Sequence, residues 1–532
     1  MSLGALLFDA AARNAARFAL HIGDQRTRYA DLTRNALSMA ARLQALSARR
    51  EAVGIVGQRK YGSYAGVLGI VYAACHYVPL KPKAPVDKTL ALLRAANIRF
   101  LVGDESDLRE MQSQLQSANQ GQGIAAYLAP HSQCLAGKDW QSLDEASLTP
   151  AVAPVDCDPD TLAYILFTSG SSGVPKGVKV SHANVLAYLR AIHSMWELEP
   201  GYRASQFHDF SFDPSVSDLF TTWSLGGELC VVPEAELIAP AHFIRRSNLQ
   251  VWSSVPSIGT LMHKLGMLKA DSFPTLRISR FAGEPLPRRM AQAWQSAAPA
   301  STVENHYGPT EATIDVARHV YLPEQHGLPF ANDIVPIGSA FPGMEIRILD
   351  EQHRPVAQGL TGQIAFKGPQ LSQGYLNDLE KTRSVFVQLD WDTGGAIWYL
   401  SGDAGFVNPQ GNIECLGRLD SQIKVAGRRV EIGEIEAVLA CYPPLSDVVV
   451  VAVKDTQGLV TELVGFTTGK FSPQDLADIK KASARSLDAV FFPRRILTLG
   501  QLPYAVSGKV DRRALLQLAR ESASESLAAR TA

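Results

Sequence analysis

Leu162-Ala163-Tyr164-Ile165-Leu166-Phe167 run without a break into Thr168-Ser169-Gly170-Ser171-Ser172-Gly173-Val174-Pro175-Lys176-Gly177. A short, continuous apolar run bounded by turn residues predicts a strand buried on both faces, as in a parallel sheet. That strand delivers the chain to a loop whose glycines let backbone N–H groups turn inward. Its hydroxyls add donors and Lys176 adds positive charge, a combination suited to a polyphosphate. It is not a Walker loop, because Pro175 precedes the lysine and Gly177 stands where a Ser/Thr magnesium ligand is required. Taken alone, the same residues read better as a flexible Gly/Ser turn.

Outward from the loop, the chain keeps a βαβ rhythm. Between Thr27 and about Val102, short apolar strands alternate with helical stretches, for example Ala52 to Val56 followed by a helix-like Ser63 to Ala74. The glutamine- and serine-rich stretch Gln112 to Gln122 weakens the pattern and reads as a surface excursion. On the C-terminal side, βα units continue to about Ala331, and Ile337 to Phe366 then shows strand alternation with Gly and Pro turns, predicting a smaller β-rich unit. The stretch GRLDSQIKVAGRRVEIG, Gly417 to Gly433, reads as a linker with a short hairpin. A compact α+β segment to about Leu516 follows, and Ser522 to Ala532 read as a frayed end.

Composition bounds the function. A chain of 532 residues exceeds one ordinary core, so two or more folding units are expected. Hydrophobic residues at 46% and charged residues at 19% exclude wholesale disorder. With 51 basic against 52 acidic residues, no global field draws the chain to nucleic acid or an anionic membrane. Cys75, Cys134, Cys157, Cys230, Cys415 and Cys441 form no C-x-x-C pair, so neither a zinc site nor a disulfide framework is signalled, and they read as reduced thiols. Leu3, Leu6, Leu7, Ala10 and Ala11 fall at helical spacing, but Asp9, Arg13 and Asn14 interrupt any signal-peptide core. No membrane span is read, and the cytoplasm is the expected compartment.

Around the loop stand further motifs: Tyr77-Val78-Pro79-Leu80, Phe212-Asp213-Pro214-Ser215, Ala282-Gly283-Glu284, Asn305-His306-Tyr307-Gly308-Pro309-Thr310-Glu311, Ser401-Gly402-Asp403, Gly417-Arg418-Leu419-Asp420 and Gly508-Lys509-Val510-Asp511-Arg512. In order and spacing the chain resembles, over nearly its whole length, the acyl-adenylate-forming (AMP-binding) superfamily, which includes peptide-synthetase adenylation domains, acyl-CoA synthetases and luciferases. The resemblance implies an α/β fold. An N-terminal core over residues 1–417 would hold two parallel-sheet βα subdomains and a smaller β-rich one. A hinge over 418–420 would join it to a small mobile α+β domain over 421–532.

The same resemblance implies roles. ATP and Mg²⁺ would be held by Thr168, Ser169, Gly170, Ser171, Ser172, Gly173 and Lys176 at the phosphates. Tyr307 would stack on adenine, with Gly283, Glu284 and Asn305 lining the base and His306 and Gly308 beside them. Asp403 would accept the ribose hydroxyls with Arg418 nearby, a geometry-specific clamp. Glu311 would ligate Mg²⁺, as a hard oxygen ligand should, and Thr310 would touch phosphate. Lys509 would carry adenylation, since a cation placed where two anions meet stabilises the transition state selectively; elsewhere such a lysine reads as solvated surface. Asp420 corresponds to the family's hinge residue, and Lys424 and Gly427 lie on the hairpin that would enter the site in the thioester-forming state. Arg428 and Arg429 read as solvated linker charges.

Asp213 stands where amino-acid-activating members keep an aspartate for the substrate ammonium; it could instead cap a helix starting near Ser215. Motif matching puts Pro214, Ser217, Ser254, Arg280, Ala282, His306, Ile314 and Asp315 along the rest of the substrate pocket, a polar lining that implies a small or polar side chain. Arg280 could bind a substrate carboxylate or pair with Asp315, and the second is favoured because a buried cation without a partner is strongly unfavourable. Leu249 to Ser257, LQVWSSVPS, resembles D-alanine–carrier-protein ligases, a pattern from which Arg280 and Asp315 depart. The expected function is ATP-dependent formation of an aminoacyl-AMP and transfer to the phosphopantetheine thiol of a separate carrier protein. An acyl-CoA synthetase using free CoA is the nearest alternative, and a catalytically inactive nucleotide-binding protein the alternative of another class.

Overall fold

The computed structural model describes residues 1–46, 48, 50–118, 124–129, 151–168, 176–324, 330–419, 422–425, 427–445, 447–455, 459–484, 486–503 and 510–531. By its internal contacts the chain divides into two units, one of Met1–Phe167 with Lys176–Leu419 and one of Thr168–Pro175 with Asp420–Ala532.

In the larger unit, the run that opens the sequence reading forms the strand Leu162–Thr168, buried over its central residues. Among the described residues it belongs to a six-stranded sheet ordered Ala126–Leu128, Phe100–Gly103, Ala52–Val56, His76–Leu80, Leu162–Thr168, Lys176–Ser181. The registered pairs from Ala126–Leu128 to Leu162–Thr168 are parallel. A nine-stranded sheet has the parallel strands Phe18–Ile22, Glu228–Val231, Arg203–Gln206, Val251–Ser254, Ile278–Ala282 and Thr302–Tyr307 at its centre. Antiparallel strands extend it beyond Phe18–Ile22 and Thr302–Tyr307. A five-stranded sheet follows, Glu345–Leu349, Gly362–Lys367, Phe386–Gln388, Ile397–Val407 and Ile413–Arg418, antiparallel throughout its registered pairs. This is the expected arrangement of two parallel-sheet layers and a β-rich one.

One local expectation is corrected. The glutamine- and serine-rich stretch is no loop through residue 117: the helix Glu105–Ser117 runs across it, capped by the Asp104 carboxylate on the Ser106 N–H. Leu108, Met111 and Leu115, spaced three and four apart, bury one stripe of it while Ser113 and Gln116 are exposed. The helix Tyr61–Tyr72 is buried on all sides, and its Gly69 meets Met39, where a Cβ would lie 2.6 Å from the Met39 Cβ.

The smaller unit holds the expected hairpin, Gln422–Val425 with Arg428–Glu431, whose Gly427 takes φ +75°, a left-handed value suited to glycine. The helix Ile432–Ala440 and a sheet of Val449–Lys454, Val460–Thr467 and Arg495–Thr498 follow. Val430, Ile435, Leu439, Val450 and Leu463 form its core. Rather than fraying at Ser522, the last helix runs from Arg512 to Thr531. No described helix is long and apolar enough to cross a membrane.

Candidate functional site

In open α/β sheets, ligands gather beyond the carboxyl ends of the strands. Three neighbouring parallel strands, Val251–Ser254, Ile278–Ala282 and Thr302–Tyr307, end side by side and release Val255, Gly283 and Gly308 at that edge. Gly283 takes φ +89°, which lets the chain turn sharply off the strand into Glu284.

Beyond this edge lies a group of polar side chains suited to a nucleotide. Asp403 and Arg418 face each other across the antiparallel pair Ile397–Val407 and Ile413–Arg418. Arg418 Nη1 donates to the Asp403 carboxylate at 3.3 Å and to the Ser401 carbonyl at 2.6 Å, while the Asp403 N–H donates to Ser401 Oγ at 3.0 Å. The Tyr307 hydroxyl donates to the other Asp403 oxygen. Burial first, and the Asp403 charge second, push the Tyr307 phenol well above its ordinary 10.0, so it remains a neutral donor. Three motifs far apart in sequence therefore meet at one carboxylate whose oxygens are oriented from both sides. Glu311, buried in the 3₁₀ turn Thr310–Ala312, accepts from the Tyr375 hydroxyl at 2.7 Å. Glu284 is fixed by the Ser257 N–H at 2.9 Å. Asn305 spends its amide N–H groups on the Val335 and Pro336 carbonyls, each at 2.9 Å, and so fastens that segment against the strand.

Behind the strand edge runs a buried chain of charges. Arg280, fully buried, donates to Asp315 through Nε at 3.0 Å and again through Nη2, and to the Ser253 hydroxyl through Nη1 at 2.8 Å. His306 bridges Asp315 at 3.1 Å and Glu304 at 2.8 Å through its two ring nitrogens. Glu304 also accepts from Trp196 Nε1 at 3.0 Å and pairs with Arg318 at 3.0 Å. Burial alone would raise the Asp315 carboxyl, but Arg280 and His306 outweigh it and hold it at about 2. The Glu304 carboxyl is likewise lowered, by His306 and Arg318, against the effect of its burial. A buried ion chain persists when each charge has a partner, and here every carboxylate has one.

The Ser217 hydroxyl accepts from Tyr188 at 2.7 Å. Ser217 and Arg280 also line a small cavity shared with Trp196, Tyr202, Thr221 and Ser253. Asp213 occupies the N-cap position of the helix Pro214–Ser224 with a helical φ of −61°, and its side chain makes no cap hydrogen bond. Its charge reaches Tyr164, whose phenol is raised by burial first and then by Tyr77 and Asp213. Pro214, Ala282 and Ile314 are buried alongside.

Ser169, Gly170, Ser171, Ser172, Gly173, Lys509 and Asp420 lie outside the described residues. Thr168 ends its strand and Lys176 begins the next; Lys424 is exposed on its hairpin. The Ser253 hydroxyl accepts from Arg280, and that of Ser254 accepts from Trp252 Nε1 at 3.0 Å. Sequence reasoning missed Glu304, Trp196, Tyr188, Ser253 and Tyr375. For Tyr375 a signal existed in its place within Gly374-Tyr375-Leu376; for Glu304, in its place directly before the run Asn305-His306-Tyr307.

A family model described as AMP-binding enzyme matches residues 7–376. The AMB antimetabolite synthetase AmbB of Pseudomonas aeruginosa is 32% identical over 511 residues, covering 96% of this chain and 38% of that protein. The chain thus spans well under half the length of that relative. An L-proline--[L-prolyl-carrier protein] ligase of Pseudomonas fluorescens is 32% identical over 465 residues, 84% of each. Among solved structures, the Vibrio cholerae adenylation domain AlmE in complex with glycyl-adenosine-5'-phosphate matches with TM-score 0.84 and 29% identity over 97% of both chains.

Proposed function

The chain belongs to the AMP-binding enzyme family, and from that membership we propose that it activates an amino acid of small or polar side chain as its aminoacyl-AMP. In that reaction a substrate carboxylate oxygen bonds to the α-phosphorus of ATP and pyrophosphate leaves with the bridging electrons. The acyl group then passes to the phosphopantetheine thiol of a carrier protein, and AMP is released. The observation that carries the first step is the oriented Asp403 carboxylate, fixed by Arg418 and Ser401 and faced by the neutral Tyr307 phenol. That is a clamp for two vicinal hydroxyls beside an aromatic face.

The fit to magnesium is that of one buried carboxylate, Glu311. Among the described residues no cluster of three or more acidic, histidine or cysteine side chains is placed to hold a metal by itself. One carboxylate completed by substrate phosphates is the usual way magnesium binds at nucleotide sites, and the ion would supply charge neutralisation of the phosphates. Asp213 supports the amino-acid reading, because it is a carboxylate at the head of the helix Pro214–Ser224 that makes no helix-cap hydrogen bond. Arg280 is clasped by Asp315 and Ser253, so the pocket's charges balance without a charged substrate side chain. The AlmE ligand, glycyl-adenosine-5'-phosphate, has an amino acid with no side chain, which supports a small substrate.

Amino-acid-dependent ATP–pyrophosphate exchange over the common amino acids tests the reading. Glycine, alanine, serine and threonine should exchange faster than leucine and phenylalanine; no exchange with any amino acid would sink it. The hinge reading has its own test. A proline at a residue whose φ/ψ must change between two states locks one of them, so Asp420→Pro should leave exchange within about threefold of the parent. Thioester formation on the carrier should fall by about tenfold or more in separate half-reaction assays.

A further inference from the structure

The turn that carries Glu311 and Asp315 is held in a conformation its own residues resist. Thr313 (φ 57°, ψ 81°) and Ile314 (φ 74°) stand consecutively in the left-handed region, where β-branched side chains are genuine outliers. Both are buried. The turn also closes onto Gly308, where a Cβ would lie 2.4 Å from the Ile314 carbonyl oxygen and 2.6 Å from the Asp315 Cα. Such backbone approach admits glycine alone.

What opposes relaxation comes from residues 369–375. Gln370, fully buried, donates through Nε2 to the carbonyls of Asp315 at 2.7 Å and Thr313 at 3.2 Å and reaches that of Ala312 at 3.5 Å. Its own carbonyl accepts the Thr313 hydroxyl at 2.6 Å. Asn184 anchors the segment on either side of Gln370, donating to the Pro369 carbonyl at 2.9 Å and the Leu371 carbonyl at 2.8 Å. Farther along, the Ser372 N–H donates to the Glu311 carbonyl at 2.8 Å. Three carbonyl dipoles thus converge on one amide nitrogen, and removing it leaves buried acceptors facing one another.

We propose that Gln370 is a positioning residue for adenylation: its buried amide latches the left-handed Thr313–Ile314 turn and thereby sets where Glu311 and Asp315 stand. The inference rests on reading this site as an adenylation centre. Gln370→Met keeps the volume and removes both donors. It should lower the maximal exchange rate about tenfold or more, leave the KM for ATP within about twofold, and speed amide hydrogen exchange in residues 311–316 about tenfold. The strand Thr302–Tyr307 should exchange as before.

Thr313→Gly separates latching from packing, since glycine bears no Cβ penalty at that φ. Within the Thr313→Gly background the further loss from Gln370→Met should shrink to about threefold or less. An equal loss in both backgrounds, or unchanged hydrogen exchange in residues 311–316, would overturn the proposal. If Gln370→Met does not fold, Gln370→Glu, which sets an acceptor among acceptors, is read by the same hydrogen-exchange criterion. A parent enzyme with no amino-acid-dependent exchange would remove the functional reading, while hydrogen exchange at the turn would still decide the latch.

Discussion

Lys509→Ala is expected to abolish amino-acid-dependent pyrophosphate exchange, by about 10²-fold or more, while ATP binding measured by calorimetry changes by less than about threefold. The asymmetry follows from where charge develops. A carboxylate approaching the α-phosphate brings two anions together, and the five-coordinate phosphorus carries more negative charge on its equatorial oxygens than the bound triphosphate did. A cation positioned there binds the transition state more tightly than the ground state, and only that difference accelerates the step. The nucleotide's ground-state hold is assigned to other residues: Tyr307, Asp403 with Arg418, and Glu311 at the phosphates. Exchange by Lys509→Ala at the parent rate would sink the assignment. A parallel collapse of ATP affinity would make the lysine a binding residue instead.

The parts of the site that were legible in sequence are those written as short local motifs. Tyr307 and Glu311 share one run, Asp403 follows Ser401 and Gly402, and Arg418 follows Gly417, so recognising each motif located its residue before any contact was known. The structure adds that these runs meet, with the Tyr307 hydroxyl bonded to a residue 96 positions away. The charge chain was only half legible. Arg280 with Asp315 follows from the cost of a lone buried cation, yet Trp196 and Glu304 are 108 positions apart and neither lies in a motif. Their partnership is a product of sheet order. The helix Glu105–Ser117 was hidden because Gln and Ser on its outer face diluted a stripe carried by Leu108, Met111 and Leu115. The left-handed pair Thr313 and Ile314 had no sequence signal at all, since β-branched residues predict against that backbone.

Asp315→Ala should cost about 3–5 kcal/mol of stability. Asp315 accepts from two nitrogens of Arg280 and one of His306, and its side chain is 3% exposed against 0% for Arg280. Deleting it leaves a guanidinium in the interior that cannot shed its charge. The double substitution Arg280→Met with Asp315→Leu removes both charges at similar volume and should recover most of the loss, because desolvation of an ion pair offsets much of its attraction. Urea unfolding followed by tryptophan fluorescence reads both variants, since Trp196 is bonded to the same chain through Glu304. Acid gives an independent check on sign. The Asp315 carboxyl sits at about 2 against an ordinary 3.8, so its stabilisation is complete above about pH 4 and is lost as pH falls through 2. The parent should therefore lose stability more steeply than the double variant between pH 4 and pH 2. If single and double variants lose equally, packing rather than charge balance holds this floor, and Arg280 is then free to be a substrate-binding cation instead of a structural one.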